Sequence, residues 1–214
     1  TILGVVIGVS SVMSMATIVK GIEGQIISTI ERAGPTTFYV FKAYSGTPVN
    51  PDALPAWIRI RPDLEMREAE RIAQLPEVGY AGLWGVVNGR LEYGDVRTQP
   101  NRVYGADDHY TDIMGGELVL GRWFSRSEMA SGANVAVIPE NLAREIVGRR
   151  NPIGLTLRVG GRPVQVIGLY QPATNVFEPP GAETLAIVPY RMLDQQFPLD
   201  KANAVFIAVK GRSG

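Results

Sequence analysis

Residues 151–170 read NPIGLTLRVGGRPVQVIGLY. Leu155–Val159 and Pro163–Tyr170 flank Gly160-Gly161, a dipeptide suited to a tight turn between strands. The stretch predicts a β-hairpin. Working outward, Asn134–Ile138 predicts a strand and Glu140–Val147 a helix. Downstream, Thr184–Val188 reads as a strand, Tyr190–Gln196 as a helix and Ala204–Val209 as a closing strand. Upstream, Arg102–Gly105 is a strand and Asp107–Met114 a short helix. Val78–Val87 and Gly89–Tyr93 read as strands around an Asn88-Gly89 hairpin turn. Asp63 is placed to cap a helix over Leu64–Leu75, with Met66, Ala69, Ile72 and Ala73 on one face. Thr36–Lys42 (TTFYVFK) alternates as a strand does. Ala43–Pro62, broken by Gly46, Pro48, Pro51, Pro55 and Pro62, predicts a loop in which Trp57-Ile58 packs. Several hairpins mixed with helices argue for α+β rather than a doubly wound sheet.

The N-terminus is of another kind. Thr1 to Val19, TILGVVIGVSSVMSMATIV, carries no charge, and the first ionisable group is Lys20. As a helix it would span about 28 Å, close to the hydrocarbon thickness of a bilayer. A transmembrane span, a signal or anchor remnant and a buried core helix are the three readings. The run length favours the span, since the Met and basic n-region of a signal peptide are missing from its start. Gly4 and Gly8 form a GxxxG step, which serves local packing as readily as a helix–helix seam. Beyond Lys20 a one-sided stripe of Ile18, Ile22, Ile26 and Ile30 predicts an amphipathic stalk that ends at Gly34-Pro35. Residues 1–34 are therefore expected to form a transmembrane helix and stalk.

Composition excludes several functions. Lysine plus arginine number 21, as do aspartate plus glutamate, so the formal net charge is zero. A nucleic-acid partner needs a basic excess, and none is expected. Cysteine is absent, so there is no disulfide and no thiolate metal site. His109 is the one histidine. Asp107, Asp108, His109 and Asp112 lie close in sequence, but Asp107 reads better as a helix cap with the others exposed. No GxSxG elbow accompanies His109 and no P-loop occurs. Glu65, Glu68 and Glu70 share a predicted helix with Arg67 and Arg71, a solvated face. Trp57, Trp84 and Trp123 are spread along the chain and read as packing residues. Phe177–Gly181 (FEPPG) lies in a loop that is either a partner contact or a connector. The expectation is no catalytic residue, no cofactor and no metal.

Several segments together resemble the extracytoplasmic core domain of MacB-type ABC transporter permeases, the superfamily of the LolC/LolE and FtsX types. They are LGVVIGVSSVMSM and GIEGQI within 3–26, VYGADDHYTDI at 103–113, LGRWFSRSE at 120–128 and ANVAVIPENLAREI at 133–146. NPIGLTLRVGGRPVQVIGLY at 151–170, AIVPYRML at 186–193 and VFIAVKG at 205–211 complete the order. The resemblance implies a domain inserted between the first two transmembrane helices of a four-helix permease. It implies a membrane-proximal porter-like α+β lobe, residues 36–92 and 184–214, and an inserted second lobe, 93–183. It further implies a bacterial inner-membrane location with the domain facing the periplasm or the cell exterior. The implied partners are a cytoplasmic ABC ATPase, a second permease copy or paralogue, the lipid membrane and, in some systems, a periplasmic adaptor. The ATPase site lies in that partner, so no enzyme activity is expected here; motion of the anchor helices would couple hydrolysis to cargo by mechanotransmission. The alternative is a membrane-anchored sensing or regulatory module that controls an envelope enzyme.

Arginine at Val9 is expected to disfavour membrane insertion by about 3 kcal/mol on translocon scales. A glycosylation-reporter assay of the variant measures this, and unimpaired integration would contradict the span.

Overall fold

The computed structural model describes residues 37–43, 56–173, 184–202 and 204–212. The expected span and stalk over 1–34, most of the loop after Ala43 and the FEPPG segment lie outside them. No helix among the described residues is long and apolar enough to cross a membrane.

In chain order the elements are β1 (Thr37–Phe41), α1 (Ala56–Arg59), α2 (Met66–Ala73), β2 (Val78–Gly89), β3 (Leu91–Tyr93), β4 (Val96–Arg97) and β5 (Asn101–Ala106). Then come α3 (Tyr110–Met114), β6 (Glu117–Gly121), α4 (Arg126–Ser131), β7 (Val135–Pro139) and α5 (Glu140–Val147). β8 (Thr156–Val159), β9 (Arg162–Gln171), β10 (Thr184–Pro189), α6 (Tyr190–Gln196) and β11 (Val205–Gly211) follow. The strands form one sheet in the order β1-β11-β2-β5-β10-β7-β9-β8-β3-β4, with β6 also paired to β9. Most pairings are antiparallel; β5–β10 and β7–β9 are parallel. The domain is thus sheet-rich and of mixed α/β type. The expected division after residue 92 and before 184 runs across this sheet, because β5 lies between β2 and β10.

The hairpin read from residues 151–170 is present as β8 and β9, with Val159 opposite Arg162. Gly160 and Gly161 take φ of 56° and 80°, the left-handed pair that lets two strands twist into a two-residue turn. Period-two alternation buries both faces of the central strands. In β11, Val205, Ile207 and Val209 pack under α2 with Leu83 and Ala69, while Phe206 and Ala208 join Trp84 and Tyr110 on the opposite face. Val135 and Val137 of β7 join that aromatic layer, and Ala136 and Ile138 face the cluster closed by Ile146, Met192 and Leu193.

Three local readings are corrected. Asn88-Gly89 is not a hairpin turn: β2 continues through Gly89, which pairs with Asn101. Leu91 pairs instead with Val159 of β8. Gly89 serves a close backbone approach, since the Gly160 N–H donates to the Arg90 carbonyl at 2.7 Å and a Cβ on Gly89 would stand 3.0 Å from Val103. Nor does Asp63 cap α2. It accepts from Lys42 Nζ at 2.7 Å, tying the end of β1 to the start of α2. Glu65 takes the capping position, its N–H donating to Glu68 Oε2 at 3.0 Å. Trp57 stays exposed, with the Arg61 guanidinium 4.7 Å from its ring centroid.

Gly85 and Gly105 face each other across the β2–β5 ladder. A Cβ on Gly105 would stand 2.8 Å from Leu193 Cβ and 3.1 Å from Tyr190 Cα, both on α6. Gly105→Ala is expected to push α6 off the sheet and cost about 2 kcal/mol, as overpacking does. Urea denaturation of the variant reads this directly, and unchanged stability would show that α6 has room to move.

Candidate functional site

β2 packs against α2 and pairs with β5, and α4 and α6 close over the same region. A groove of about 740 Å³ lies among them, lined in part by Leu64, Met66, Leu83, Met129 and Tyr190. Its polar end is a chain of hydrogen bonds. The indole N–H of Trp84, fully buried, donates to the Tyr80 hydroxyl at 2.9 Å. That hydroxyl donates to Asp107 Oδ2 at 2.6 Å. The other carboxylate oxygen of Asp107 accepts from the His109 backbone N–H at 3.0 Å.

The strand pattern explains why these groups meet. Tyr80, Gly82 and Trp84 share one face of β2, and a Cβ on Gly82 would collide with the Tyr80 hydroxyl. Glycine there leaves the space in which the phenol lies along the strand. Asp107 follows directly on β5, where the chain turns into α3. His109 stacks on Tyr80, with centroids 4.4 Å apart and planes at 21°. Burial pushes the Tyr80 phenol up, and the Asp107 charge pushes it further. Burial also raises the Asp107 carboxyl, against the hydrogen bonds from Tyr80 and His109. The phenolic proton therefore stays on Tyr80, which acts as donor to the carboxylate.

The sequence reading of Asp107 as a helix cap is corrected: His109 holds the N-cap position of α3, and the Asp107 side chain bonds instead to Tyr80 and to the His109 N–H. Asp108 and His109 are exposed, as expected. One oxygen each of Asp107 and Asp108 and one nitrogen of His109 lie within 4.8 Å of one another. Both oxygens of Asp107 are engaged by the donors just named, which leaves the turn a structural explanation. Asp112 is set apart from this group, in α3; its carbonyl accepts from Lys210 Nζ at 3.0 Å.

One wall of the groove, α4, has too little apolar periodicity to read as a helix. Its sequence signal is the Ser125-x-x-Glu128 capping box. Ser125 Oγ accepts from the Glu128 N–H, and Glu128 Oε2 accepts from the Ser125 N–H at 2.8 Å. Arg122 grips the same carboxylate with both terminal nitrogens, at 2.7 and 2.8 Å. Arg191 Nη1 donates to the Ala130 carbonyl at 2.7 Å and so joins α6 to the end of α4.

α2 and α6 cover one face of the sheet, and α3 packs through Tyr110 and Ile113 on the other. The profile of the MacB-like periplasmic core domain matches residues 1–214, and the chain belongs to that family. It is 28% identical over 177 residues to the macrolide export ATP-binding/permease protein MacB of Neisseria gonorrhoeae, covering 83% of this chain and 26% of that protein. It is 30% identical over 172 residues to the pyoverdine export ATP-binding/permease protein PvdT of Pseudomonas savastanoi pv. phaseolicola, covering 80% and 24%. The chain thus spans about a quarter of the length of these curated relatives. Its fold is similar to the periplasmic region of MacB from Actinobacillus actinomycetemcomitans, with TM-score 0.64, 19% identity and coverage of 88% and 81%. It is also similar to the extracellular domain of the transporter YknZ from Gram-positive bacteria, with TM-score 0.59, 22% identity and coverage of 83% and 84%.

Arg122 holds the Glu128 carboxyl down to about 2, with the Ser125 N–H and hydroxyl assisting. The stabilisation is complete above the ordinary value of 4.5 and is lost as pH falls towards 2. Because the Arg122 side chain is more than half exposed and water screens the pair, Glu128→Gln should cost only about 1 kcal/mol at pH 7. Parallel urea titrations at pH 7 and pH 3 should show the gap between variant and wild type narrowing in acid; a gap that stays constant would separate α4 stability from this ion pair.

Proposed function

We propose that this chain is the extracytoplasmic core of an ABC exporter permease that couples ATP hydrolysis in a cytoplasmic partner to export, extraction or release of envelope cargo. The observation that carries the reading is the pairing of the first and last strands among the described residues. Thr37 stands opposite Lys210 in the β1–β11 ladder, so the two ends of the described fold lie side by side. That arrangement suits a domain inserted between two membrane helices, and displacement of the helices would act on two adjacent strands at once. The family match and the exporter names of the relatives support the same reading.

In this proposal residues 1–34 are the span and stalk, in the inner membrane, with the folded domain on the periplasmic or outer side. A second permease copy or paralogue completes the unit, with an adaptor in some systems. The porter-like lobe comprises 36–92 and 184–214, and the inserted lobe 93–183. ATP hydrolysis belongs to the partner, and the chain itself contributes mechanical transmission.

The stalk gives the test. Proline at Ile26 removes one helix hydrogen bond and clashes with the preceding turn, costing about 3 kcal/mol or more and kinking the rod. In the full-length transporter, Ile26→Pro should keep basal ATP hydrolysis and lose export of cargo. Macrolide efflux, named for the relatives, is the first assay to run. Normal transport by a well-folded variant would reduce the stalk to a tether.

A further inference from the structure

The groove beside Asp107 has the makings of a binding site. Its walls are apolar where Leu64, Met66, Leu83 and Met129 line it, and Tyr80 and Tyr190 add aromatic rings. At about 740 Å³ it falls within the range of pockets that hold small organic molecules. At its polar end lies a carboxylate whose side chain is only 27% exposed. Both of its oxygens are bound by neutral donors, the Tyr80 hydroxyl and the His109 N–H. Among the described residues no lysine or arginine nitrogen comes within 4.0 Å of it. The nearest basic group is His109 Nδ1, at 3.8 Å from Asp107 and 3.3 Å from Asp108. A carboxylate this sheltered, held by two neutral donors with one imidazole nearby, gains further from a full positive charge brought by a ligand.

The other charges at the groove are largely engaged. Lys201 pairs with Asp194 at 3.6 Å, Glu65 lies 3.5 Å from Arg67, and Arg191 is held by the Ala130 carbonyl. Arg126, the first residue of α4, is the remaining cation in the lining.

We propose that this groove binds a small amphipathic molecule with an apolar body and a protonated amine, the ammonium pairing with Asp107 and the body lying between α2, α4 and α6. The transporter reading enters only in taking this ligand as cargo. Binding itself is measured on the chain alone, so failure of one leaves the other standing.

The test uses the full 214-residue chain in detergent and equilibrium dialysis with three probes of one shape: 1-naphthylmethylamine, 1-naphthylmethanol and 1-naphthylacetate. Differences between protein variants cancel partition into the micelle. The amine should bind at least tenfold more tightly than the alcohol, and the acetate no better than the alcohol. Asp107→Asn should bring the amine to the level of the alcohol, and Met129→Trp, which fills the groove, should weaken both. If Asp107→Asn fails to fold by circular dichroism, the comparison of probes on the wild type and the Met129→Trp result decide. Equal affinity for amine and alcohol, preference for the acetate, indifference to both variants, or no binding at millimolar amine would each overturn the proposal.

Discussion

A pair of glycines sets how closely the sheet and its principal helix approach. Gly85 and Gly105 stand opposite each other on adjacent strands, and their bare faces form a notch that α6 enters with Leu193 and Tyr190. A Cβ at Gly85 would stand 3.1 Å from Leu193 and 3.3 Å from Tyr190, so neither position has space to spare. Dense interiors transmit such contacts, because a helix displaced by one methyl group loses dispersion along its whole length. Met192 and Leu193, both fully buried, join β5, β7 and β10 into one core.

The groove follows from that seating. With α6 held down, Tyr190 and Asp194 project beside β2, and Arg191 reaches the carbonyl end of α4. The capping box and the Arg122 clamp keep α4 helical although it has only six residues and none of them is buried. On the other side Gly82 makes room for the Tyr80 phenol, which carries the hydrogen bond of a buried indole out to Asp107. The site thus consists of a satisfied polar chain at one end and apolar walls at the other.

Much of this architecture is legible in the amino-acid sequence. β7 with α5, β10 with α6, and the β8–β9 hairpin all match their sequence patterns within a residue or two, because each has strong periodicity bounded by turn residues. β6 has no such signal: its exposed Val119 and Leu120 give no alternation, and pairing with β9 defines it. Asn88-Gly89 misleads because Asn-Gly is a strong turn signal locally. Competition from β5, which pairs with β2 out to Asn101, keeps the strand straight. Asp63 shows the same limit: a good cap by type, it is taken by Lys42 from twenty-one residues away.

The sequence by itself determined most of the element types, the neutral charge and the family, because these rest on periodicity, composition and ordered segments. It marked Asp107 as a helix cap, a position that His109 holds in the structure. Only the tertiary structure decided that β1 lies against β11, that β5 runs between β2 and β10, and that Tyr80, Asp107, Met129 and Tyr190 meet at one groove. Those contacts join residues far apart in the chain. Strand order and side-chain proximity come from cooperative packing of the whole sheet, and no local pattern encodes them.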